Sequence, residues 1–200
     1  PKVPSERSPT LTMLPPVEAV RLAYEALTDS DASDNFESLL TSAGSAKIRA
    51  VDRALRSRRA HAAAGISTGA FAARAEGASD GAFSTAAWCG LGMQRDGALR
   101  ERAVEVLAAR PGHLALAALV NRVTDPVPEI AERAEARLRP RLEGGQLANV
   151  VWTLPLVDAI LETPRGAASD ISSIVRDRLA KRPAETQSAL EAALAEPDPA

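Results

Sequence analysis

Gly65-Ile66-Ser67-Thr68-Gly69 spells G-x-S-x-G, the string in which a strained turn lifts a serine nucleophile above a sheet. Asp80, Asp96 and His113 follow downstream in the order of a hydrolase triad. Such an elbow needs a buried strand before it, and Arg58-Arg59-Ala60-His61-Ala62-Ala63-Ala64 has helix or loop composition. Ser67 therefore reads as part of a loop with a helix N-cap. Gly90-Leu91-Gly92 is half of a dinucleotide fingerprint, but Arg95 occupies the third glycine position and no strand precedes it. No Gly-Lys pair exists, which removes the P-loop. Cys89 beside Trp88 lies in an apolar run, without the cationic or helix-start setting that makes a thiolate, and reads as a buried thiol. A single cysteine with His61 and His113 gives three zinc ligands at most, from distant segments. The expectation is no catalytic, metal or cofactor site.

A binding chemistry is better represented. Between Ser45 and Ala60, Lys47, Arg49, Arg53, Arg56, Arg58 and Arg59 face one acid, Asp52: six positive against one negative, net +5. Arg49, Arg53 and Arg56 follow i, i+4, i+7 and share one helix face, a candidate stripe for phosphates or an acidic partner. The competing reading is internal compensation by Glu18, Glu25, Asp29, Asp31, Asp34 and Glu37 on the two preceding helices. No aromatic residues interleave to stack on bases.

The elements that must position these residues are helical. The 200 residues contain 41 Ala and 22 Leu with only 3% aromatics, and all but three of the 24 basic residues are Arg. Ala, Leu and Arg lead the helix propensities, whereas sheets want β-branched and aromatic residues. The Arg excess over Lys also fits a GC-rich genome. Residues 1–13 are polar and proline-punctuated and read as a flexible lead-in, without the apolar core of a signal peptide. Pro1 in place of Met is what a processed or excised piece would show. Residues 14–200 read as one domain. Helices are expected from Pro16 to Leu27, from Asp31 to near Gly44 and over 45–60, with a short one between loops in 60–82. Further helices are expected at 82–92, 97–109, 113–123, 127–142, 145–162, 168–181 and 184–195. Pro155 should kink the helix that carries Trp152, itself read as core. No apolar run is long enough to cross a membrane, and a cytoplasmic location is the default.

Self-similarity organises these helices. At a constant offset of 31, Leu99 falls on Ile130, Glu101 on Glu132, Arg102 on Arg133, Ala103 on Ala134, Leu107 on Leu138 and Arg110 on Arg141. Each such helix follows another apolar helix across an Asp-containing turn. Asp125-Pro126-Val127-Pro128-Glu129-Ile130-Ala131-Glu132-Arg133-Ala134-Glu135-Ala136-Arg137-Leu138 resembles the second half of a HEAT repeat, with Ala131 where the family's Arg is expected. Leu99-Arg100, Ala103 and Leu107 match the same pattern, and the similarity is clearest over residues 82–142. The resemblance is to bacterial HEAT-repeat proteins. It implies an all-α superhelix of antiparallel helical hairpins, a solenoid of about ten helices. It also implies that Arg100 bridges to a turn aspartate, Asp96 or Asp125. The implied function is a scaffold or adaptor that binds a protein partner and is not an enzyme. Glu101, Arg102, Glu132 and Arg133, stacked into ladders, are the candidate contacts. The alternatives are a nucleic-acid-binding protein using the helix over 45–60, and a helical-repeat lyase-type enzyme.

Overall fold

The computed structural model describes residues 15–41 and 44–195, so the expected lead-in at 1–13 lies outside the described residues. Among the described residues the chain forms thirteen helices and no strand. In order they are α1 (Pro16–Glu25), α2 (Ser30–Thr41), α3 (Ala46–Leu55), α4 (Arg58–Ala64), α5 (Ala70–Ala75), α6 (Thr85–Gly92) and α7 (Gly97–Ala109). There follow α8 (His113–Arg122), α9 (Pro128–Gly144), α10 (Leu147–Leu161), α11 (Pro164–Ala168), α12 (Ile171–Ala180) and α13 (Pro183–Ala195).

The all-helical expectation holds, and the count exceeds it for two local reasons. The helix expected over 45–60 divides at Ser57, whose side chain accepts the Ala60 N–H and starts α4. The break expected at Pro164-Arg165-Gly166 instead winds into α11, started by Thr163 accepting from Gly166 N. Elsewhere the punctuation behaves as its chemistry dictates. Asp96 accepts from Ala98 N and Leu99 N at 2.8 and 3.2 Å and starts α7. Ser84 does the same for α6 through Ala87 N.

The packing has three layers. α6, α8 and α10 pack in succession as a central row, with α7, α9 and α12 as a second row outside them. On the other side α1 and α2 pack on α6, while α3 packs on α8 and α10. The central row is consequently sheathed on both sides. Every residue from Leu114 to Arg122 is buried, as is every residue from Ala86 to Gly92. Helices that are apolar all round are the ones that can occupy such a position. α13 lies against α10 and α12 with none of its own residues buried.

Small residues set the close approaches. A Cβ at Gly90 would lie 3.1 Å from Phe36 Cε1 and 3.4 Å from Ala23 Cβ, and one at Gly92 would lie 3.2 Å from Ala103 Cβ. The Gly-Leu-Gly string thus serves packing on two opposed layers. Pro155 sits within α10, and the next N–H, of Leu156, donates to Ser45 Oγ at 3.1 Å. Ser45 is fully buried and its hydroxyl does not cap its own helix.

Candidate functional site

The densest chemistry in the molecule is a buried ion cluster joining all three layers. Asp125, in the α8–α9 turn, takes Arg100 of α7 in a two-toothed grip, Nε to Oδ2 at 2.9 Å and Nη2 to Oδ1 at 3.1 Å. Its Oδ2 also accepts from Arg122 Nη1 at 3.0 Å and Arg56 Nη2 at 3.2 Å, and its Oδ1 from Val127 N at 3.0 Å. Asp52 of α3 pairs with Arg122 at 2.6 Å and Arg56 at 3.2 Å. Three arginines against two aspartates leave the cluster with one net positive charge. Burial alone would raise the Asp125 carboxyl's pKa. The Arg100 and Val127 hydrogen bonds, with the charges of Arg122 and Arg100, outweigh that and hold it below the usual carboxylate range. Burial lowers the pKa of Arg122 despite its aspartates. Of the two aspartates offered to Arg100, Asp125 takes it, and Asp96 caps α7.

This geometry also places the basic stripe. Arg56 is drawn into the cluster, Arg49 donates to the Ala159 carbonyl at 2.8 Å, and Arg53 is exposed. Charge compensation for Arg56 comes from Asp52 and Asp125, and the acids of α1 and α2 are not its partners.

The four candidate partner contacts divide. Arg133 reaches Glu101 at 2.7 Å and Glu105 at 3.7 Å, and Arg137 reaches Glu105 at 2.7 Å. Arg139 continues to Asp170, the N-cap residue of α12, at 2.6 Å. These pairs form a charged ladder over the outer row. Glu132 is exposed on α9. Arg102 turns elsewhere: it donates to the Ala75 and Ala78 carbonyls, pairs with Asp80 at 3.2 Å, and lies 5.0 Å from the buried Trp88 ring. It holds the α5–α6 loop down.

A second set of arginines escaped the sequence reading. Arg110 donates to the carbonyls of Asp80 and Phe83, Arg141 to those of Leu107 and Gly112, and Arg178 to that of Gly145. Arg110 follows α7, and Arg141 and Arg178 lie in α9 and α12; each bonds to backbone at the approach to α6, α8 or α10, and Arg141 also to the last turn of α7. The available signal was the 31-residue equivalence of Arg110 and Arg141.

The remaining candidates have structural surroundings. Ser67 is exposed on a turn between α4 and α5, where Gly69, not Ser67, is the N-cap residue. Cys89 is buried, which pushes its thiol pKa far up. His61 is buried, with Nε2 at 2.8 Å from the Leu55 carbonyl and its ring against Phe71. His113 lies against the half-buried Trp152, ring centroids 4.4 Å apart and planes tilted by 49°. No group of three or more metal-ligating side chains converges among the described residues. No helix among them is long and apolar enough to cross a membrane. In comparisons with known proteins, no family model, curated protein or solved structure matches the chain.

Proposed function

We propose that the chain is a HEAT-like interaction module without chemistry of its own. In this reading three helix pairs stack as a short superhelix and α1–α3 close over its inner row. The outer row of α7, α9 and α12 is then the surface offered to a protein partner. The observation that carries the reading is the ladder from Glu101 and Glu105 through Arg133 and Arg137, extended by Arg139 and Asp170. It runs across α7 and α9 to the N-cap of α12 with alternating charge, a pattern that favours one partner register and disfavours wrong ones. The repeated loop caps of Arg110, Arg141 and Arg178 support the three-pair description. Fold-level analogy supplies the word scaffold, and the ladder supplies the address. Nucleic-acid binding through Arg49, Arg53 and Arg56 draws less support, because Arg49 and Arg56 make their contacts inside the fold.

The test is a double charge reversal, Arg133→Glu with Arg137→Glu. Exposed ion pairs contribute about 0–1 kcal/mol each, so the variant should melt close to the parent protein. Cross-linking and mass spectrometry on extract of the source cell should show a stoichiometric partner for the parent and its loss in the variant. Retention of every partner by a folded double variant would reject the surface.

A further inference from the structure

α13 continues the central row. α6, α8, α10 and α13 pack in succession, and the outer row beside them has three members, α7, α9 and α12. Each of α6, α8 and α10 is followed in the chain by the outer helix that packs on it, for α10 after the short α11. Among the described residues α13 has no such helix. The arginine bonds stop at the same place. Arg110, Arg141 and Arg178 donate to backbone at the approaches to α6, α8 and α10. At the approach to α13, no arginine donates to the carbonyls of Lys181 or Arg182 among the described residues, and the side-chain bond nearby is Thr186 Oγ1 to Leu179 O at 2.9 Å.

The side of α13 left open is apolar. Leu190 and Leu194 are 39% and 85% exposed, the two exposed large apolar side chains among the described residues. Four residues apart, they lie on one face of the helix. Thr186 and Ala189 are half-buried and every other residue of α13 is exposed. A thirteen-residue helix covered so little is at the length where helices in water are marginal. Stacked repeats ordinarily close on a helix with a polar outer face, and α13 does not supply one.

Charge and area select what covers it. α13 carries Glu185 and Glu191 and no basic residue. A second copy seated there would set two acidic helices together. It would bury little beyond four leucines, far below the roughly 1,200 Å² at which stable interfaces begin. A helix of the outer-row kind brings both apolar residues and arginines, as α9 does with Arg133, Arg137, Arg139 and Arg141.

We propose that the open side of α13 is the docking site for one amphipathic helix of a protein partner, which completes a fourth pair as α7, α9 and α12 complete the first three. That helix has large aliphatic residues eight apart around a small one, as in Leu99-Ala103-Leu107 and Ile130-Ala134-Leu138. It has an arginine three residues on, as at Arg110 and Arg141. The proposal rests on the stacked-pair reading and not on the charged ladder. Retention of partners by Arg133→Glu with Arg137→Glu would therefore reject the ladder alone.

The probe is a synthetic peptide of residues 127–142, added to the full chain and followed by amide exchange. Exchange in α13 should slow about tenfold when free peptide is ten times its dissociation constant, and exchange in α1 should not change. The dissociation constant should be about 1 mM or tighter. Leu194→Gln, at an exposed position, should melt like the parent and bind roughly tenfold more weakly, the value of burying one leucine. The peptide with Leu138→Asp should not bind. Unchanged α13 exchange at about 3 mM peptide overturns the proposal, as does undiminished protection in Leu194→Gln. Sedimentation should show a monomer, and a dimer that Leu194→Gln dissolves would assign the face to a second copy and overturn the proposal as well.

Discussion

Asp125 is the residue on which the three layers depend most directly. Its two oxygens accept five hydrogen bonds, and its side chain is fully buried. Removing one partner of a buried ion pair leaves an uncompensated charge, typically a loss of about 3–5 kcal/mol. Asp125→Ala leaves Arg100 without a carboxylate and Arg56 and Arg122 sharing Asp52 alone, and should destabilise by about that much in urea unfolding. The cluster also sets an acid limit. Because the folded carboxyl has a depressed pKa, its contribution is fully present above the unfolded value of about 3.9. It is lost as pH falls below that value and through the folded one. Unfolding free energies measured between neutral pH and pH 3 should fall accordingly, and Asp125→Asn should flatten the curve. The sequence made Arg100 visible as a candidate bridge. It could not show that Arg56, 69 residues earlier, shares the same carboxylate. That convergence exists only after the layers have packed.

Among the elements, α6 shows how closely the rows approach. Gly90 faces the Phe36 ring and Ala23 on one side of α6, and Gly92 faces Ala103 on another. An alanine in a helix interior gains about 1 kcal/mol over glycine in propensity. Overpacking against a well-filled core costs about 1–3 kcal/mol. Phe36 is fully buried and has little freedom to yield, so packing should win at Gly90. Gly90→Ala should lower the melting temperature, and a rise would show that the ring can move aside. Element boundaries were legible where capping chemistry marks them, as with Asp96 before α7 and Pro128 at the start of α9. The division between α3 and α4 was hidden, because apolar spacing runs on past it. Arg56 bonds to Asp125 and Ser57 turns back to cap, and neither changes the periodicity. Likewise Arg102 and Arg133 are equivalent in sequence and differ in surroundings. The α5–α6 loop draws in Arg102, and Glu101 and Glu105 hold Arg133 on the surface.

For the whole molecule, the sheathing of the central row matters more than the repeat. An open stack of repeats touches only its neighbours and can unravel unit by unit. Here α3 bonds to α10 through Ser45 and Arg49, across 111 and 110 residues of chain. Such contacts tie segments distant in sequence into one cooperative unit. Urea unfolding followed by fluorescence and by circular dichroism should give superimposable transitions. Amide exchange should be slowest in α8, at the free energy of global opening, and fast in α13, where no residue is buried. Exchange in α8 well ahead of global unfolding would contradict a single unit. The buried row had a sequence signal in the unbroken apolar run after His113, but what covers it did not.

The Ser45–Leu156 bond also has a meaning in time. A ribosome adding about 5–20 residues per second needs roughly 6–22 s to travel the 111 residues between them. Through that interval the side of α3 that packs on α10 in the finished protein is without its neighbour. α1 and α2 meet α6 early, whereas α3 meets α10 late, so the face of α3 that α10 covers is the one left open longest as the chain is made.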